Sequence, residues 1–272
     1  MRILMVGDVV GKAGRQLLVD VLQSLRIAEN IDFVIVNGEN AAAGVGITPD
    51  LADQFLAHGA DVVTLGNHAW NRREVYNYLE NQTRILRPAN YPPGVPGHGF
   101  HTFCCLGTPL SVIVLQGRVF MEPIDDPFRK VDELLDTLIQ KSPLVFVDFH
   151  GEATSEKQAF GYYVDGRVTG VFGTHTHVQT ADERVLPGGT AYITDVGMTG
   201  PVQSVIGMKY ESVIPRFLTG LPSRFDVAEG AAQLCAVVVE VRAADGKAIT
   251  IKRLQISQHA ADALLHQEET RQ

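Results

Sequence analysis

The chain has 272 residues, 45% of them hydrophobic and 20% charged, which is ordinary for a globular protein and ample for a sizeable core. Its formal net charge of −8 argues against a general nucleic-acid binder, which would carry a basic patch, so no stable nucleic-acid complex is expected. No apolar run approaches the ~18 residues that a bilayer span needs, and the first strand is too soon interrupted for a signal peptide, so no membrane role and a cytoplasmic location are expected.

Residues 2–7 form an aliphatic run that ends at Asp8, and a helical pattern follows through Leu17, Leu18, Val21, Leu22 and Leu25. A second buried strand, Asp32 to Val36, ends in Asn37-Gly38-Glu39-Asn40, and a loop over 41–47 leads to Thr48-Pro49, a helix start with proline at its first position. A third strand, Asp61 to Leu65, ends in Gly66-Asn67-His68, before a polar helix expected to carry Arg72, Arg73 and Glu74. The stretch Arg87 to Pro93, with glycines at 94, 97 and 99, suits no regular element and is read as a loop that either shapes a pocket or closes a sheet.

Phe100 to Leu106 and Leu110 to Leu115 read as antiparallel strands, Pro127 to Gln140 as a helix, and Leu144 to Phe149 as a strand terminating at His150. Thr154-Ser155-Glu156-Lys157 starts a helix whose Ser155 and Lys157 are candidates for the rim of a site. The run Val168 to Phe172 precedes Gly173-Thr174-His175-Thr176-His177, whose two imidazoles fall on one side of an extended backbone. Thr190 to Thr194 is a strand ending at Asp195, and Met198-Thr199-Gly200-Pro201 is read as a loop over the site. Two strands within Ala231 to Ser257 are joined by Ala244-Asp245-Gly246-Lys247, a hairpin signal. Cys104, Cys105 and Cys235 form no CxxC and read as reduced thiols. His58, His98, His101, His259 and His266 have no partner motif and are expected at the surface or in loops.

Early strands alternate with helices, and antiparallel strands lie in the middle and at the end. That pattern predicts a two-sheet α/β/β/α sandwich in one domain over 1–272, with a plain doubly-wound sheet as the alternative. There is no repeat or linker. Gly7-x-x-x-Gly11-Lys12 fails as a phosphate-binding loop, because its glycine spacing is short and Ala13 stands where Ser or Thr would be needed. No G-x-G-x-x-G follows the first strand, so a dinucleotide fold is excluded.

Asp8, Glu39 with Asn40, Asn67 with His68, His150, and His175 with His177 all follow apolar runs that should be neighbouring strands. Singly, each has a bland reading as helix cap, turn residue or satisfied histidine. Together, buried carboxylates and imidazoles are costly unless paired or metal-bound. Such donors suit Mn, Fe or Zn, and there are enough of them for two ions, the number that clamps an in-line displacement at phosphorus.

In this order the motifs resemble those of the calcineurin-like metallophosphoesterases: Asp-x-His, Gly-Asp, Gly-Asn-His, His and Gly-His-x-His. Val10 replaces the first histidine and Glu39 replaces the aspartate. Those departures resemble the YmdB-like branch, as do residues 39–42, 87–92, 148–157 and 195–201, so that the likeness runs from residue 1 to about 258. The resemblance implies a metallophosphoesterase-type sandwich with mixed sheets and two metal ions, iron before Mn or Zn. It implies Glu39 as the bridging ligand, Asp8, Asn40 and His177 completing one coordination sphere, and Asn67, His150 and His175 the other. It further implies His68 as general acid and a metal-bridging hydroxide attacking a phosphodiester, with cyclic nucleotides (2′,3′-cyclic, and 3′,5′-cyclic as a further candidate) as small-molecule substrates. Self-association is an open expectation. The rival readings are a low-turnover regulatory or scaffold protein that retains the metal site, and a non-haem-iron redox enzyme, for which no separate facial triad is visible.

Overall fold

The structure, a computed structural model, describes residues 1–138 and 141–261. The chain begins with β1 (Arg2–Val6), β2 (Asp8–Val9) and α1 (Gly11–Ala28), then alternates through β3 (Phe33–Asn37), α2 (Pro49–Ala57), β4 (Val62–Thr64), α3 (Val75–Asn81) and β5 (Ile85–Leu86). The pair β6 (Phe100–Cys105) and β7 (Thr108–Gln116) follows, and then α4 (Pro127–Leu138), β8 (Leu144–His150), α5 (Thr154–Tyr163) and β9 (Gly170–Thr174). The remainder is β10 (Arg184–Val185), β11 (Ala191–Ile193), β12 (Met198–Pro201), α6 (Tyr210–Thr219) and the hairpin β13 (Ala232–Arg242) to β14 (Lys247–Ser257).

Period-two side-chain alternation builds the layers. On β1 and β3, Ile3, Met5, Phe33 and Ile35 face a core shared with Phe146, Phe172 and Ile193 of the other sheet. Leu4, Val6, Val34 and Val36 face the opposite way, onto Leu17, Leu18, Val21 and Leu22 of α1. On the far side, Val145, Val147 and Phe149 pack under Val131 and Leu135 of α4 and Phe160 of α5. Both sheets are thus apolar on both faces, and the molecule is the α/β/β/α sandwich rather than one doubly-wound sheet. α2 starts as its sequence indicates, the Leu51 amide donating to Thr48 Oγ1.

Both sheets are mixed. The first runs β2-β12-β13-β1-β3-β4-β5 with β14 beside β13, and β1, β3, β4 and β5 are mutually parallel. The second runs β10-β11-β9-β8-β7-β6, with β7, β8, β9 and β11 parallel. The two sheets are stitched together at the carboxyl ends of their parallel strands: buried Asp148 of β8 accepts from Asn37 Nδ2 of β3 and Thr64 Oγ1 of β4.

Three expectations need correction. Met198–Pro201 is a strand, not a loop: it pairs with Asp8–Val9 and with β13, and its Thr199 and Gly200 are buried. Arg72, Arg73 and Glu74 precede α3 rather than lie in it, because the Arg72 guanidinium reaches back to the Ala42 and Val45 carbonyls. Lys157 is not at the rim: its ammonium is buried, 2.7 Å from Asp195. The helix expected to Gln140 ends among the described residues at Leu138, and positions 139–140, like His266, lie outside them. His98 and His259 are exposed and His101 lies on β6, while all three cysteines are free, Cys105 and Cys235 being buried.

Candidate active site

The residues singled out from the sequence meet at one end of the sandwich. Asp8 opens β2 just after β1, Glu39 and Asn40 follow β3, Asn67 and His68 follow β4, His150 ends β8, and His175 follows β9. The turn after β4 needs glycine. A Cβ on Gly66 would come within 2.3 Å of the His150 ring and 2.4 Å of Glu39 Oε2. The two loop histidines are not on extended backbone as expected; His175 has φ 96° and His177 φ 64°, so they leave the strand in left-handed conformations.

His150 is the hub. Thr174 Oγ1 donates to Asp148 Oδ1 at 2.7 Å and lies 2.9 Å from His150 Nδ1, so the hydroxyl's lone pair is what the ring nitrogen meets. This places a proton on Nδ1 and aims the Nε2 lone pair into the site. That Nε2 is 2.8 Å from Asn67 Oδ1, 3.0 Å from Glu39 Oε1 and 3.0 Å from His175 Nδ1. One imidazole nitrogen cannot donate to three partners at once. Four potential ligand atoms therefore converge on a point that a cation would satisfy. Among the described residues, Glu39, His150 and His175 are the group of acids, histidines and cysteines close enough together to hold a metal ion.

The electrostatics call for positive charge at the same point, which a proton on His150 supplies when no cation does. Burial by itself would lower the His150 imidazolium, but Glu39, with Asp8 and Asp148, outweighs it and lifts the ring to about 9. Burial by itself would raise Glu39, but His150 and His68 hold it at about 2. His175 is pushed down to about 3 by burial and by His150 beside it, which leaves it a neutral donor. Burial pushes Asp8 up to about 7 against the pull of His177 and His150.

Asp8, Asn40 and His177 do not close a second tight cluster. Asp8 Oδ2 accepts the His175 amide at 3.3 Å, and Asn40 Nδ2 donates to the Gly44 carbonyl at 3.0 Å. Their other oxygens, Asp8 Oδ1 and Asn40 Oδ1, are buried with no hydrogen-bond partner. Buried acceptors of this kind are costly unless something electropositive reaches them. His177 sets its Nδ1 2.9 Å from the Ile206 carbonyl. His68 is half-buried, its amide donates to Glu39 Oε2 at 3.2 Å, and its Nδ1 is 3.3 Å from Asn71 Oδ1.

Glu39, Asn40, His68, His175 and His177 line a cavity of about 370 Å³ that also takes in Glu152, Ile206, Met208 and Phe225. Glu152 was not anticipated. Its Oε2 is 3.2 Å from His175 Nε2, the nitrogen that faces away from His150. A carboxylate two residues beyond a strand-end histidine was the available signal. The Asp195 carboxylate, also unassigned from sequence, accepts from the Thr176 amide and hydroxyl and the Gly197 amide while paired to Lys157, and so braces the His175–His177 loop.

An α/β/β/α sandwich with carboxylate, amide and imidazole donors at its parallel strand ends is a metallophosphoesterase-type protein. The family model of YmdB-like proteins matches residues 4–254, and the chain belongs to that family. It is 49% identical over 257 residues to the 2′,3′-cyclic-nucleotide 2′-phosphodiesterase of Bacillus subtilis, covering 94% of this chain and 97% of that one. Among solved structures it is similar to a Thermus thermophilus protein (44% identity, TM-score 0.88, 94% of this chain and 99% of that one). It is similar also to a phosphatase of Mycoplasma pneumoniae (37% identity, TM-score 0.90, 94% and 93%).

Proposed function

We propose that the chain is a metal-dependent phosphodiesterase acting on 2′,3′-cyclic nucleotides, with 3′,5′-cyclic nucleotides as further candidates. The observation that carries this reading is the convergence of Asn67 Oδ1, Glu39 Oε1 and His175 Nδ1 on His150 Nε2, with buried Asp8 Oδ1 and Asn40 Oδ1 left unpartnered nearby. The family relationship and the activity named for the Bacillus subtilis relative support it.

Glu39 has two carboxylate oxygens, one 3.0 Å from His150 Nε2 and the other accepting the His68 amide, and two oxygens would let it serve both ions. Asn67, His150 and His175 would hold one ion, and Asp8, Asn40 and His177 the other. The mixed oxygen and imidazole set suits iron, with Mn or Zn as alternatives. Bound ions supply Lewis-acid polarisation of the phosphoryl group and lower the pKa of a water nucleophile.

The protein groups do the rest. Thr174 and Asp148 fix the His150 tautomer, and Glu152 orients His175. His68 lines the cavity with its Nδ1 facing Asn71 and its Nε2 3.4 Å from Asn67 Nδ2, and from that position it would protonate the departing ribose oxygen. No described helix is long and apolar enough to cross a membrane, and a single domain over 1–272 working in the cytoplasm completes the reading.

Hydrolysis of 2′,3′-cyclic AMP and of a chromogenic bis-ester, followed with and without a chelator and in Glu39→Gln, tests this. The expected result is loss of turnover on chelation and in the variant. Normal turnover by Glu39→Gln would overturn the assignment.

A further inference from the structure

The chain between β12 and β13 folds over the site as a separate cap. Met208 bridges to both Val205 and Val227, and α6 lies between those contacts in sequence. The cap is fastened to the metal-ligand loops at two places. The Ile206 carbonyl faces His177 Nδ1 at 2.9 Å, and a Cβ on Gly44 would come within 2.9 Å of Met208 Cε. Ile206 sits at φ 46°, a left-handed conformation that a β-branched residue avoids unless its surroundings impose it.

What the cap contributes to the cavity is apolar: Ile206, Met208 and Phe225, beside the polar lining of Glu39, His68, His175 and His177. A phosphate or a ribose gains nothing from such a surface. Phe225 is 37% exposed, so part of its surface remains open to a ligand. The exposed Arg216 guanidinium lies over that ring, 5.4 Å from its centroid.

The geometry points to a nucleobase subsite in which Phe225 is the stacking platform and Ile206 and Met208 are its apolar borders. This inference rests on the reading of the adjoining polar cleft as a cyclic-nucleotide centre. An aromatic face accepts any base but favours the larger π surface of a purine, because stacking needs no particular hydrogen-bond pattern. Phe225 therefore determines specificity for nucleoside over simple phosphodiesters, and its loss weakens base-dependent binding by about tenfold or more, the usual scale of one base stacked on an aromatic ring.

Calorimetric titration of the metal-replete protein with adenosine 3′-monophosphate and with methyl riboside 3-phosphate, which lacks the base, tests it. Wild type is expected to bind the nucleotide at least about tenfold more tightly, Phe225→Ala to erase the difference, and Phe225→Trp to keep it. Equal or absent binding of the two ligands by wild type, or an unchanged preference in Phe225→Ala, would overturn the subsite. Turnover of 2′,3′-cyclic AMP is read in parallel. Base-dependent binding lost in Phe225→Ala, without turnover in wild type, would refute the phosphodiesterase reading and leave the subsite standing.

Discussion

Replacing Thr174 with valine removes one hydroxyl and almost no volume, so any effect reports the hydrogen bonds rather than a cavity. That hydroxyl donates to Asp148 Oδ1 at 2.7 Å and lies 2.9 Å from His150 Nδ1, and all three residues are at most 1% exposed. Asp148 keeps Asn37 and Thr64 on its other oxygen, whereas His150 Nδ1 has no other partner among the described residues. Leaving a buried polar group unsatisfied costs about 1–3 kcal/mol, so two such groups imply a loss of about 2–4 kcal/mol, the carboxylate oxygen at the lower end because its partner oxygen stays bonded. The second consequence is chemical. Without an acceptor at Nδ1 the ring is free to carry its proton on Nε2, the atom that should ligate, and losing such an outer partner typically costs about 10–100-fold in metal affinity. Urea unfolding of the metal-free protein reads the first effect, and competition against a chromogenic chelator reads the second. Thr174→Ser restores the hydroxyl and should recover most of the affinity. Stability within about 0.5 kcal/mol of wild type together with unchanged affinity in Thr174→Val would refute the tautomer argument.

Gly66→Ala should displace the His150 ring and Glu39, since its Cβ would meet them at 2.3 and 2.4 Å; loss of metal binding in a folded protein, seen by elemental analysis and circular dichroism, is the expected outcome. Lys157→Met strands the buried Asp195 carboxylate and should destabilise by about 3–5 kcal/mol in urea unfolding, because an unpaired buried charge is left behind. The pH dependence of the metal-free protein follows from His150 and Asp8. The folded pKa of His150 is raised from 6.5 to about 9, so its stabilising contribution is complete below 6.5 and is lost as pH rises through 9. Asp8, raised from 3.8 to about 7, moves the same way over its lower window, while Glu39, depressed from 4.5 to about 2, loses its contribution only on acidification. Thermal melting of chelator-treated protein should therefore show Tm falling between pH 6.5 and 9; a flat or rising Tm there would contradict the assigned partners.

The strand-end candidates were legible because a buried strand declares itself as an apolar run, and the polar residues that follow the run mark its carboxyl end. Val34–Val36 before Asn37 shows this, and so does Leu144–Phe149 before His150, with Asp148 as its one interruption. The alternation of Ile3 and Met5 with Leu4 and Val6 is invisible at that level, since both faces are apolar, and only packing against the second sheet distinguishes them. Met198–Pro201 looked like a loop because glycine and proline dominate it; pairing with Asp8 and Gln233 on either side overrides their poor strand propensity. The spacing of Tyr210, Val213, Ile214, Phe217 and Leu218 does carry a helical period, but Pro215 interrupts it, and the helix nonetheless runs through. The left-handed backbones of His175 and His177 left no trace in the sequence, because histidine adopts that region without a marker as clear as glycine.

Metal content per chain, measured together with 2′,3′-cyclic AMP turnover in wild type and His68→Ala, tests the central claim most directly. The account predicts two ions in both proteins and turnover lost only in the variant. Fewer than one ion per chain in wild type after reconstitution, with no turnover, would contradict it.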